Sequence, residues 1–166
     1  MDAIDLVRHV EQDEQYNTWR KEHPDPFLAH VFLMYDGDKL MDQQVGYFNP
    51  NTSKMTSFLV SGEKITLVPE ADVFQKPGSG LLPLDIGSVT ASFDSVREKA
   101  EELLHETYET TASKKIFILQ HLQEGQVWNI TFLTATFTTI NIRIEANTGD
   151  ILKNEEINLI DFGKSG

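Results

Sequence analysis

Between residues 138 and 146 apolar and polar positions alternate strictly. Ile140, Ile142 and Ile144 share one side, and Thr139, Asn141, Arg143 and Glu145 the other. Strand side chains alternate with period two, so this stretch predicts a strand with one buried face. Residues 116–122 and 127–137 read as further strands around a Glu124-Gly125 turn. Asn147-Thr148-Gly149-Asp150 is turn chemistry leading into Ile151 and Leu152. Upstream, residues 92–109 have a helical period. Phe93, Val96, Ala100, Leu103, Leu104 and Tyr108 form one stripe, with Glu98, Lys99, Glu101, Glu102 and Glu106 off it. Ser92 or Asp94 suits the N-cap, and Ser95 to Glu98 has capping-box spacing. A helix with a broad apolar stripe followed by strands predicts a sheet packed on that helix, with Val96, Ala100, Leu103 and Leu104 against Ile140, Ile142 and Ile144.

The first half has the same grammar. In residues 2–22, Ile4, Val7 and Val10 fit one helical face, joined by Leu6, Tyr16 and Trp19, and Glu11-Gln12-Asp13-Glu14 divides the stretch into two short helices. His23-Pro24-Asp25-Pro26 ends it, because proline disfavours helical geometry in the residue before it. Residues 27–35 are apolar enough for a strand buried on both faces, and Asp36-Gly37-Asp38 is a hairpin turn. Strands are expected at 44–48, 54–60 and 63–68. Residues 75–87 are rich in glycine and proline and lack a period, as a connection does, yet Leu81, Leu82, Leu84 and Ile86 pack it down. The expected division is an N-terminal half at 1–75, a connecting segment at 76–91 and a C-terminal domain at 92–166. The halves are expected to share one continuous antiparallel sheet or two sheets in contact. Each reads helix, strand, strand, turn, strand, which predicts an internal duplication.

Three features together resemble the PepSY domain family. They are Ala100, Leu103 and Leu104 on a helix, then Trp128-Asn129-Ile130-Thr131, then the run from Ile142 through Glu145-Ala146-Asn147-Thr148-Gly149-Asp150 to Leu152. Glu145 stands where that signature has aspartate. The resemblance covers residues 90–154 and extends more faintly over 1–70 through Gly46-Tyr47-Phe48-Asn49-Pro50-Asn51-Thr52-Ser53-Lys54-Met55. It implies an α+β fold, an antiparallel sheet packed on helices in two PepSY-like α-β-β-β halves. It also implies a non-catalytic role as a binding domain that regulates or inhibits peptidases.

Composition narrows the partners. Hydrophobic content of 40% and charged content of 24% are those of a globular chain, and 166 residues supply one ordinary core. A formal net charge of −12 argues against nucleic acid and against an anionic membrane surface; it allows a basic protein partner or cations, and its plainer reading is solubility. The chain has no cysteine, which removes disulfides, thiolate chemistry and Cys-ligated zinc. Residues 1–5 lack the basic start and apolar core of a signal peptide, and no apolar run approaches the about 18–20 residues of a membrane span, so the expected location is cytoplasmic. The chain is expected to be a monomer or homodimer.

Candidate chemistry is sparse. His9, His23, His30, His105 and His121 show no H-E-x-x-H spacing. His30 and His121 both fall in expected strands and could approach across a sheet to bind a metal, while the plainer expectation is two half-buried histidines in ordinary hydrogen bonds. Asp36-Gly37-Asp38 lacks the later ligands of a calcium loop. Ser79, between Gly78 and Gly80, has neither a G-x-S-x-G context nor the Lys-Ser/Thr of a phosphate loop. Trp128 is expected in the core, with Val127, Leu133 and Phe137 on the opposite face as a patch for a partner or for the other half. The sequence therefore predicts no catalytic residue, no metal and no cofactor. The partner is expected to be a peptidase or another protein. The alternative is a small-molecule binder with an apolar pocket between sheet and helix, and the third possibility is an enzyme using His30 or His121 with acidic neighbours.

Overall fold

The computed structural model describes residues 2–72 and 81–158. Helices α1 (Ala3–Glu11) and α2 (Glu14–Glu22) precede strands β1 (Phe27–Asp36), β2 (Lys39–Asn49), β3 (Lys54–Ser61) and β4 (Lys64–Asp72). Helix α3 (Phe93–Tyr108) precedes β5 (Ala112–Leu122), β6 (Gly125–Thr134), β7 (Thr138–Glu145) and β8 (Ile151–Asn158). All eight strands join one antiparallel sheet in the order β4-β3-β2-β1-β5-β6-β7-β8. The fold is α+β, and the sheet is continuous through the central β1–β5 pair. Each side of that pair is a four-strand meander; the strand spacing predicted four on the first side and three on the second, and the α-β-β-β pattern of the resemblance has three. The added strand on the second side is β8, paired along β7 from Ile144–Ile151 to Thr138–Asn158.

The helices cover one face. Their apolar stripes enter a single core with Val31, Leu33 and Tyr35 of β1, Phe117 and Leu119 of β5, Ile130 and Phe132 of β6, and Ile140, Ile142 and Ile144 of β7. On α3, Val96, Ala100 and Leu104 are buried, whereas Leu103 is half-buried at the rim of that core. The Ser92 hydroxyl caps α3 by accepting the Ser95 N–H at 3.2 Å. The Asp2 carboxylate accepts the Phe93 N–H at 2.9 Å, tying the N-termini of α1 and α3 together. The expected break between α1 and α2 is present, and Asp13 caps α2 through the Gln15 N–H at 2.9 Å.

Two rings of aromatic packing hold the layers. Tyr16, Trp19, Tyr47 and Phe58 meet on the first side at centroid distances of 5.4–5.9 Å. On the second, Phe93 lies 5.1 Å from Phe117 and 5.3 Å from Trp128. Trp128 is thus in the core, as expected. Phe93 also stacks on Tyr35 of β1, so it touches both sides of the sheet.

The expectation that 27–35 is buried on both faces fails. Ala29, Val31, Leu33 and Tyr35 are buried, but His30, Phe32 and Met34 are half-buried on a face that the helical layer does not cover. Apolar residues on the uncovered face gave the run its double-sided look. Phe137 is likewise not a strand residue. The β6 strand ends at Thr134, and Phe137 sits in the following turn with φ +61° and 68% exposure. The core of the connecting segment, including Ser79, lies outside the described residues. Residues 81–91 pack along one end of the sheet, with Leu84 buried and its N–H donated to the Leu28 carbonyl at 2.8 Å.

Candidate functional site

The uncovered sheet face gathers most of the remaining chemistry. At its centre Phe32 pairs in register with Ile118, and Met34 with Ile116, giving a four-residue apolar stripe over β1 and β5. Towards β7 the stripe gives way to amides. Asn129 Nδ2 donates to Gln120 Oε1 at 3.1 Å, and Asn141 Nδ2 donates to Asn129 Oδ1 at 2.7 Å, so side-chain bonds cross three strands. Beyond them Arg143 pairs with Glu124. Towards β3 the flanking residues are Gln44 and then Leu59. Of the expected patch on this face, Val127 is fully buried and Leu133 half-buried, while Phe137 has left it for the turn.

His30 has a structural explanation. It pairs with Gly46 of β2 and Gln120 of β5 on the uncovered face. Its ring lies flat over Gly46, where a Cβ would come within 2.3 Å of the imidazole. Glycine leaves the hole in the sheet that the ring fills. Burial pushes the His30 pKa down from 6.5 to about 4, so the ring is neutral at pH 7. We expect Gly46→Ala to cost about 1–3 kcal/mol, since the ring must be displaced. In a His30→Ala background the same change should cost little, and a double-mutant cycle in urea measures the difference.

The other histidines are scattered. His121 neighbours Gln120 in sequence, so it points away from the face His30 occupies, and its Nδ1 lies 2.8 Å from the Pro83 carbonyl oxygen. His23 stacks on Trp19 and contacts the Trp19 carbonyl at 3.0 Å; His9 contacts the Gly62 carbonyl at 3.2 Å; His105 is exposed on α3. Among the described residues no group of three His, Asp or Glu side chains is placed to hold a metal ion.

The densest charge cluster joins the β1–β2 hairpin to α3 and β5. Arg97 lies 4.5 Å above the Tyr35 ring, 3.2 Å from Asp38 and 3.6 Å from Glu101. Lys115, buried in β5, pairs with Glu101 and lies 3.5 Å from Asp38. Asp38 therefore serves this cluster, and Asp36-Gly37-Asp38 is the hairpin turn expected from sequence. Glu145 also has a local role. Its carboxylate accepts the N–H groups of Asn147 at 3.1 Å and Thr148 at 2.5 Å, and the Thr148 bond chiefly holds its pKa low. That bond closes the Asn147-Thr148-Gly149 turn, with Gly149 at φ +78°.

The two outer edges of the sheet differ, a feature sequence reasoning missed. At β4 the Gln15 side chain donates from Nε2 to the Ile65 carbonyl at 2.8 Å and accepts the Leu67 N–H at 3.2 Å. Its amide takes the place of a neighbouring strand's peptide group. Pro69, two residues on, has no N–H to offer. At β8 there is no proline, and among the described residues β8 pairs only with β7.

No protein-family model matches the chain, and no curated protein matches it. Among solved structures it is similar to the 1.85 Å crystal structure of a "putative lipoprotein" from Clostridium difficile 630, with a TM-score of 0.54 and 13% identity over 89% of this chain and 97% of that one. The likeness is one of fold. No helix among the described residues is long and apolar enough to cross a membrane.

Proposed function

We propose that this protein acts by binding another protein rather than by turning over a substrate. The observation that carries this reading is the division of labour on the sheet. One face and one edge are closed by the chain's own helices and by Gln15, while the other face, with its Phe32, Met34, Ile116 and Ile118 stripe, is left uncovered among the described residues. The close charged groups act as fold-holding pairs, as at Lys115–Glu101 and Arg143–Glu124. The two meanders, each preceded by helix, are compatible with a pair of PepSY-like halves that each carry one strand more than that pattern. On this reading a peptidase is the first partner to test. The expected result is a host peptidase that is slowed by stoichiometric protein, without rapid cleavage of the protein itself. A panel of host peptidases that are all unaffected, together with no protein captured from a native lysate, overturns the reading.

A groove of about 410 Å³ between α2 and β4 supports a second reading, as a small-molecule binder. It is floored by Trp19 and Leu67 and flanked by Glu14, Glu22 and His23. A compound that co-purifies and shifts the tryptophan emission would favour it.

A further inference from the structure

We propose that β8 is a docking edge for an extended, cationic segment of another protein, which adds to the sheet as a ninth strand. The inference rests on the reading of the chain as a binding protein and goes beyond it by naming the edge and the chemistry of the partner.

An unpaired edge presents a row of backbone donors and acceptors, and sheet proteins ordinarily guard it. Here one edge is guarded and, among the described residues, the other is not. On β4, Gln15 occupies the outward Ile65 carbonyl and Leu67 N–H, and Pro69 has no N–H to offer. β8 offers eight residues, with Ile151 39% and Leu152 46% exposed at its start. Main-chain pairing along such an edge supplies affinity, and the side chains opposite supply selectivity.

Charge selects the partner. Glu155 and Glu156 share β8 with one cation, Lys153, which already lies 3.6 Å from Glu155, and Asp150 lies just before the strand. The field of Glu156 and Glu155 reaches Tyr108 on α3, where both add to the raising effect of burial on the phenol pKa. Its hydroxyl donates to Asn154 Oδ1 at 2.5 Å, placing the last turn of α3 beside the strand. A segment with lysine or arginine opposite Glu155 and Glu156, and apolar residues opposite Leu152 and Ile157, complements this edge on both faces.

A second copy fits less well. Two-fold antiparallel pairing of β8 strands opposes residues of like face. Centred on Glu155 it sets carboxylate against carboxylate. Centred on Asn154 it gains Lys153–Glu155 pairs but sets Glu156 against Leu152, between chains of net charge −12 each.

The test is selection of a displayed random nonapeptide library on the intact protein, followed by amide chemical-shift mapping with the best synthetic peptide. The expected result is enrichment of sequences with adjacent lysine or arginine residues flanked by apolar ones, with shifts concentrated in residues 153–158. Affinity should drop at least tenfold in a Glu155→Lys/Glu156→Lys variant and should weaken as salt is raised, but not change in a Glu70→Lys variant on the closed edge. Both variants alter exposed side chains, and unchanged thermal melting confirms their fold. No enrichment, enrichment that survives the Glu155→Lys/Glu156→Lys change, or shifts centred on Phe32 and Ile118 overturns the edge proposal. So does a concentration-dependent dimer with shifts at 153–158, which assigns the edge to a second copy. A peptidase or lysate partner that still binds the Glu155→Lys/Glu156→Lys variant leaves the binding reading standing and removes only the edge.

Discussion

Replacing Phe93 with alanine should destabilise the protein by about 3–5 kcal/mol. Phe93 is 5% exposed at the first turn of α3, and its ring meets those of Tyr35, Phe117 and Trp128. Those partners come from β1, β5 and β6, so the ring bridges the central strand pair and ties α3 to both meanders. Its loss removes a large apolar surface and leaves a cavity whose walls are themselves rigid rings, so little relaxation can refill it. The N–H of the same residue is held by Asp2, so the backbone keeps its place when the ring is cut. Phe137→Ala, in a turn and 68% exposed, should change stability by less than about 0.5 kcal/mol. Urea denaturation of the two variants measures the contrast. A Phe93→Ala variant within about 1 kcal/mol of the parent would show that the bridging role is wrong.

The sequence made much of this architecture legible, and the reasons are physical. Strict alternation at Ile140, Ile142 and Ile144 marks a strand with one dry face, and all three are buried. The helical stripe of α3 was readable for the same reason, since Val96, Ala100 and Leu104 recur on a 3.6-residue period. The failures share a different cause. β8 has Lys153-Asn154-Glu155-Glu156 at its middle, so neither face is buried and no period appears; only pairing with β7 makes it a strand. The start of β2, at Lys39, Leu40 and Met41, is missed likewise because it lies at an exposed hairpin end. Phe137 continued the apolar pattern of β6, but Thr134 accepts the Thr138 N–H and the chain turns there instead.

What positions the candidate site was less legible still. The closure of β4 depends on Gln15 reaching Ile65 and Leu67, 50 and 52 residues away, and a solvent-facing glutamine carries no local mark of that role. The uncovered face was hidden by its own composition, because Phe32 and Met34 look like core residues until the helices are seen to lie on the other side. The His30–Gly46 pair belongs to the same class. A glycine between Val45 and Tyr47 has a meaning only once a ring is found across it.

That pair makes stability depend on pH in a defined window. His30 has a folded pKa of about 4 against 6.5 for an ordinary histidine. Desolvation favours the neutral ring, so between these values the unfolded chain binds the proton and the folded one does not. Stability therefore rises with pH through this window, by as much as about 1.4 kcal/mol per unit. The contribution is fully present above about pH 6.5 and is lost as the pH falls towards 4. The carboxylates of the chain also titrate at the acid end, so the informative quantity is the difference between the parent and His30→Phe. Phenylalanine keeps a ring over Gly46 and has no proton to gain. The stability difference between the two proteins should be constant above pH 7. Below it, His30→Phe should gain on the parent by as much as about 3 kcal/mol by pH 4. Urea unfolding of both proteins at intervals from pH 4 to 8 gives that curve. A difference that stays flat throughout would mean the folded protein protonates His30 as readily as the unfolded chain does, with the ring in water rather than packed on Gly46.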